Sequence, residues 1–182
     1  FAGWYTDMEL TKPFDFASIV TKPTTLYAKY ALEGSVVLPD TSDNCLGNDM
    51  TLEFSDSDWA SAITDIKIGG VSVTEATYQV DAILKTITFD KSLFTKVGDV
   101  NISISAKDYA DVSIIQKVVN GYNVHFVLEA APFDVQDQLV ARRITQPVIT
   151  GYDVTWFADE ARTMPWEFTN SIYSAKTLYG TW

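Results

Sequence analysis

Cysteine, histidine and arginine are almost missing from this chain, and each scarcity removes a class of chemistry. With one Cys in 182 residues, an internal disulfide is excluded and no second thiol is present to share a metal. That residue, Cys45, lies in the polar stretch TSDNCLGND and reads as a free thiol in a loop. The only histidine is His125. Ser-His-Asp or Cys-His catalysis would have to run through it, on the outer face of an expected strand and with no local partner. Zinc and haem sites need further His, Cys or Met ligands at workable spacing, which the sequence does not supply. No cofactor, metal site or catalytic residue is expected.

Long apolar runs are absent too. None approaches the roughly 18 residues that a membrane-crossing helix needs, so no membrane insertion is expected. Net charge is −11 with Lys and Arg nowhere clustered, which leaves out the basic footprint of a protein that binds nucleic acid or an anionic membrane. The sequence opens on Phe1 with neither an initiating Met nor a basic-then-apolar leader. Any targeting segment is therefore expected to have been removed or to lie outside it.

What is present is a globular composition, 47% apolar and 20% charged, and a repeat. The chain begins with WYTD, PFDF and TLYAKY and ends with WFAD, PWEF and TLYGTW. Laid on each other without a gap, residues 1–30 and 153–182 align Trp4 with Trp156, Asp7 with Asp159, Thr11 with Thr163, Pro13 with Pro165, and Thr25-Leu26-Tyr27 with Thr177-Leu178-Tyr179. Replacements keep shape, as in Tyr5/Phe157, Phe14/Trp166 and Tyr30/Trp182. A constant offset of this length marks duplicated structure. Ahead of the second copy, Asn123 to Glu129 alternates, with Val124, Phe126 and Leu128 on one side and His125 and Glu129 on the other, the pattern of a half-buried strand. The complete unit is expected over 121–182, with 1–30 as its C-terminal half.

Between the copies the texture changes. Leu52 and Phe54, Ile66 and Ile68, Ile87 and Phe89, and Ile102, Ile104 and Ala106 mark short period-two strands. Such alternation favours antiparallel sheets packed face to face. SDWASAI and DKSLFTK read as helical turns opened by Ser or Asp caps. Residues 31–120 also hold most of the acidity, with 6 Lys against 14 Asp plus Glu.

The Trp-Tyr-x-Asp, aromatic-acid-Phe and Thr-Leu-Tyr-Ala-x-aromatic steps resemble the Listeria/Bacteroides repeat, the internalin B-repeat family. The resemblance covers 1–30 and 122–182 and implies a bacterial surface location and a β-grasp-like fold. That family reads Gly before the Trp, as in Gly3-Trp4, where the second copy has Thr155. The middle segment, about 35–120, resembles the haemoglobin-interacting domain of a streptococcal haem receptor. Trp59-Ala60, Ile63, Tyr78, Leu93-Phe94, Gly98-Asp99 and Tyr109-Ala110 carry the likeness, and Asp108 stands where that family has Gly. The expected fold class is mainly β: a small antiparallel, Ig-like β-sandwich flanked by β-grasp-like units.

Other candidate chemistry has plainer explanations. Asp56 and Asp58, a carboxylate pair of the kind glycosidases use, precede a helical turn and read as caps. The Asp40 to Asp49 stretch is rich in oxygen ligands but lacks calcium-loop spacing and its final Glu, and reads as a solvated acidic loop. Trp4, Tyr5, Phe14, Trp156, Phe157, Trp166 and Trp182 read as core residues, because a unit of about 60 residues needs large side chains to bury enough surface. The function expected is a non-enzymatic adhesin or spacer segment of an extracellular, cell-surface or wall protein, with a host protein or surface glycan as partner. The alternatives are a haemoglobin receptor module and accessory domains of a larger secreted glycan-active enzyme. No partner-binding residue is read from the sequence. The half repeat is expected to dock on the sandwich or to be completed by another chain.

Overall fold

The computed structural model describes all of residues 1–182, and the fold is mainly β. The first copy forms one small hairpin in which β1 (Gly3–Tyr5) pairs antiparallel with β2 (Tyr27–Lys29) in a two-stranded sheet, with a single bridge from Tyr5 to Pro13 on its other side. The turn between them is held by Asp7, whose carboxylate accepts from Thr11 N at 3.1 Å and Lys12 N at 2.8 Å, and from the Thr11 hydroxyl. None of residues 1–30 is buried. The expected docking of this segment on the sandwich is not what forms. Its attachment is one ion pair, Lys29 Nζ to Asp108 Oδ1 at 2.8 Å, followed by a backbone exchange in which Leu32 N donates to Asp108 O and Ala110 N to Leu32 O. Asp108 has φ 65, a left-handed conformation that Asp tolerates better than most residues but Gly adopts freely.

The middle of the chain places two four-stranded sheets around one core. One runs β3 (Val37–Leu38), β4 (Met50–Phe54), then β8 (Thr86–Phe89) and β7 (Tyr78–Asp81); the other runs β10 (Val112–Val118), β9 (Gly98–Ala106), β5 (Ile63–Ile68) and β6 (Val71–Ser72). All their pairings are antiparallel. Period-two alternation sends Met50, Leu52, Phe54, Ile87 and Phe89 inward from the first sheet and Ile66, Ile102, Ile104 and Ala106 from the second. Between β4 and β5 comes α1 (Ser57–Ser61), capped by Asp56, whose Oδ1 accepts from Asp58 N at 2.8 Å and Trp59 N at 3.1 Å. The helix exists to seat Trp59, which is fully buried with its ring 5.9 Å from Phe54. Burying an indole removes roughly 200 Å² from water, worth about 5 kcal/mol at 25 cal/mol per Å². Its Nε1 has no hydrogen-bond partner, which costs about 1–3 kcal/mol, so burial wins. β5 and β6 turn through Gly69 and Gly70, both at positive φ (59° and 86°), as a two-residue hairpin of the right twist requires.

The last segment, residues 121–182, builds a sheet and a core of its own. β11 (Tyr122–Leu128), β12 (Gln138–Val140), β13 (Thr155–Phe157) and β14 (Lys176–Thr181) make a mixed sheet in the order β12-β11-β14-β13. Its central pair, β11 and β14, is parallel, and this order is that of a β-grasp-like sheet, with turns and short strands as the crossover. Val124, Phe126, Val140, Ile144, Trp156, Ile172 and Leu178 form its core. Residues 153–182 repeat the main-chain bonding of the first hairpin's turns. Trp166 N donates to Trp156 O as Phe14 N does to Trp4 O, and Ala158 N to Met164 O as Thr6 N does to Lys12 O. Asp159 holds Thr163 and Met164 as Asp7 holds Thr11 and Lys12. The entries differ: Gly3 has φ 146 and Thr155 has no positive φ. No helix is long and apolar enough to cross a membrane.

Candidate functional site

The residues singled out by sequence scatter rather than converge, and four of the expectations need correction. Cys45 is not in a solvated loop; it is fully buried. Burial pushes its thiol pKa up, and the nearby charge of Asp43 adds to this. Its loop is clamped to the end of β10, since Leu46 N donates to Val119 O at 3.0 Å and Val119 N to Asn44 O at 2.9 Å. The same loop abuts the last unit. Asn48 Nδ2 donates to Leu139 O at 2.9 Å, and a Cβ on Gly121 would lie 2.8 Å from Leu139 Cδ1 and 3.1 Å from Cys45 Sγ. Only glycine permits this approach.

The acidic stretch from Asp40 is likewise partly interior, with Asp40 and Asn44 both buried. Asp40 Oδ1 accepts from Ser42 N at 2.9 Å and Oδ2 from Thr51 N at 3.0 Å, so this carboxylate fastens its own loop to β4. Asp49 Oδ1 accepts from Lys91 N at 3.0 Å. No three His, Cys, Asp or Glu side chains are gathered at metal-holding distance.

His125 is exposed on β11, as its alternation predicts, but it has a local partner. Nδ1 lies 2.7 Å and 2.9 Å from the two oxygens of Asp137, which also accepts from Phe126 N at 3.3 Å. The loop from Ala130 returns Asp137 beside β11, a closure that alternation alone could not register. The aromatics divide by copy. Trp156 is buried against Phe126, and Trp166 is half-buried under Lys176 Nζ at 4.8 Å, whereas Trp4 and Trp182 are exposed. Trp182 packs on Tyr152 with ring centroids 5.5 Å apart and donates Nε1–H to Glu129 O. Tyr5, Phe14 and Phe157 are half-buried.

One surface feature escaped sequence reasoning. At the β7–β8 turn, Ile83 and Leu84 are 92% and 72% exposed, yet both are fixed, because Asp81 Oδ1 accepts from each backbone N at 2.8 Å. The turn is braced to α1 by Ser57 Oγ donating to Ala82 O at 3.0 Å, and to the end of β4 by Lys85 Nζ donating to Ser55 O at 2.8 Å. Flanking Ser57 in the chain are Asp56 and Asp58, whose charges, after burial, raise the hydroxyl pKa of Tyr109. A rigid apolar prong with an acidic flank suits a protein partner with an apolar recess and basic rim. The signal available in sequence was the run Asp81-Ala82-Ile83-Leu84-Lys85 between alternating strands.

The comparisons agree with the two resemblances. Residues 37–119 match the family described as "Heme-binding protein Shr-like, Hb-interacting domain", and residues 1–29 match the Listeria-Bacteroides repeat domain. Both families are binding or repeat modules. A putative membrane protein of Evansella cellulosilytica is 26% identical over 192 residues, an alignment that takes in 100% of this chain and 26% of that protein. The chain thus spans a minor part of that relative's length.

Proposed function

We propose that this chain is a non-enzymatic segment of a bacterial surface protein, in which residues 1–30, 31–120 and 121–182 are modules in series that space and present binding surfaces outside the cell. The carrying observation is the packing at the two joints. At Leu32 the chain exchanges backbone hydrogen bonds with the turn at Asp108, and at Gly121 there is no room for a side chain, since a Cβ there would lie 2.8 Å from Leu139 Cδ1 and 3.1 Å from Cys45 Sγ and Leu46 O. A spacer transmits position only when its joints resist swivelling. Residual dipolar couplings on the full chain are expected to fit one fixed orientation of 31–120 against 121–182. A broad distribution of orientations would overturn the spacer reading.

A second reading has its own observation, the Ile83-Leu84 prong. The family matched by 37–119 carries haemoglobin interaction in its description, and on this reading the full chain binds haemoglobin through that end of the module. Double substitution of Ile83 and Leu84 by Ser is expected to weaken capture at least tenfold without altering the melting profile. No biosensor response from the unsubstituted chain at haemoglobin concentrations on the order of tens of micromolar removes this reading and leaves the spacer untouched.

A further inference from the structure

The last unit holds little positive charge, and most of it is gathered and unpaired. Of its four Lys and Arg residues, Arg162 is engaged by Glu129, whereas Arg142, Arg143 and Lys176 meet no carboxylate. Lys176 is distant from the arginines in sequence, and the backbone brings all three to one groove. Ile172 N donates to Arg142 O at 2.8 Å and Arg143 bridges to Ser171, so residues 142–143 run beside 171–173. Ala141 and Ile144 are buried on either side of the arginines, and both arginines are exposed. Two aromatic rings hold the charges in place. The Arg142 guanidinium carbon lies 5.4 Å from the centre of the Tyr173 ring, and Lys176 Nζ lies 4.8 Å from that of Trp166. Along these residues runs an open groove of about 550 Å³, lined by Trp166, Asn170, Tyr173, Ser174 and Lys176 among others and by no acidic side chain. Tyr173 stays 69% exposed, so Arg142 covers only part of its ring. The first copy lacks this arrangement. Thr21 and Thr24 stand where the last unit has Tyr173 and Lys176, yet the turns of both copies bond alike. The fold does not need the patch.

We propose that this groove binds an acidic glycan, a chain of sugars carrying carboxylates, with Arg142, Arg143 and Lys176 on the carboxylates and the open part of the Tyr173 ring against a sugar face. This deepens the surface-module reading and rests on it only for the setting in which such a glycan is met. Guanidinium groups match carboxylates through two parallel hydrogen bonds, and a cation already fixed on a ring loses little freedom when a ligand arrives. Asn170, Ser171 and Ser174 line the same groove and supply an amide and two hydroxyls for sugar hydroxyls. Two other anions fit less well. An extended acidic peptide gains most from a free sheet edge, and here β14 already has β11 on one side and β13 on the other. A nucleic acid needs a larger basic footprint, and the chain as a whole has a net charge of −11.

The test is calorimetric titration of the full chain at low salt with a short oligogalacturonate as probe. Its methyl ester, which keeps the sugar rings and removes the charge, and a short polyglutamate, which keeps the charge and lacks the rings, are the controls. The acid is expected to bind with a Kd on the order of 0.1–1 mM, and each control at least about tenfold more weakly. Arg142→Gln combined with Arg143→Gln is expected to weaken binding about tenfold and to leave the melting profile unchanged, because both side chains are exposed. Tyr173→Ala is expected to weaken it about threefold or more, while Tyr173→Phe, which keeps the ring, binds as the parent does. The Trp166 indole signal is expected to move in the NMR spectrum as the acid is added. Equal binding of the ester, equal or tighter binding of polyglutamate, indifference to the double arginine substitution, or a flat titration each overturns the proposal. None of these outcomes bears on the orientation of 31–120 against 121–182, whose measurement tests the spacer reading separately.

Discussion

Replacing Gln116 by Leu tests whether a single polar side chain holds β3 and its loop to the second sheet. Gln116 is fully buried on β10. Its Oε1 accepts from Asp40 N at 2.8 Å, and its Nε2 donates to Asp40 O and to Lys117 O, each at 2.9 Å. Leucine fills similar space but strands the Asp40 N–H inside the protein, a loss of about 1–3 kcal/mol, and removes two further hydrogen bonds worth about 1 kcal/mol each. The carbonyls keep a second lone pair and suffer less, and the added apolar surface returns about 1 kcal/mol. The expected net cost is about 2–4 kcal/mol. For a unit of this size each kcal/mol moves Tm by about 4–8 °C, so scanning calorimetry should show the transition of the 31–120 module lowered by about 8–32 °C. A change below about 1 kcal/mol would refute the reasoning, because a stranded buried donor cannot be that cheap.

The remaining expectations are compact. Leu178→Ala should cost about 2–5 kcal/mol, as large cavities in small cores do, while Leu26→Ala at the equivalent position of the first copy should cost under about 1 kcal/mol; equal losses by chemical denaturation would contradict the difference in cover. The Thr163 hydroxyl, followed by backbone N–H groups, holds the Asp159 carboxyl below its ordinary value near 3.8. A depressed folded pKa gives stability that is present above the unfolded value and lost as pH falls through the folded one. Thr163→Val should therefore raise the Asp159 pKa by NMR titration; an unmoved pKa would exonerate the hydroxyl. Cys45, buried and with its thiol pKa raised, should resist thiol-labelling reagents in the native state and react at once on unfolding, and fast native labelling would mean that the 44–48 loop opens.

Alternation and duplication were legible because they are local: Leu52, Ile87, Phe89, Ile102 and Ile104 all point inward as their spacing requires, and the offset of Trp4 to Trp156 survives as matching hydrogen bonds. Strand phase was not always legible. On β10, Gln116 faces in and Ile115 out, the reverse of their hydropathy, because Gln116 answers the backbone of Asp40 from 76 residues away. Cys45 and Asp40 looked solvated for the same reason; Asp40 is bonded by Gln116 of β10, and the loop carrying Cys45 is bonded to Val119 and Leu139, none of which a local window contains. The Ile83-Leu84 prong was missed because two apolar residues in a turn carry no period.

The parallel ladder of β11 and β14 has a mechanical consequence. Residue 122 and residue 182 lie at opposite ends of that ladder, so tension along the chain loads its hydrogen bonds side by side and in shear, and they must fail together. In the first hairpin Ala2 N bonds Lys29 O at the open end, and the same tension peels the pair apart one bond at a time. Under load the two copies are a catch and a zip.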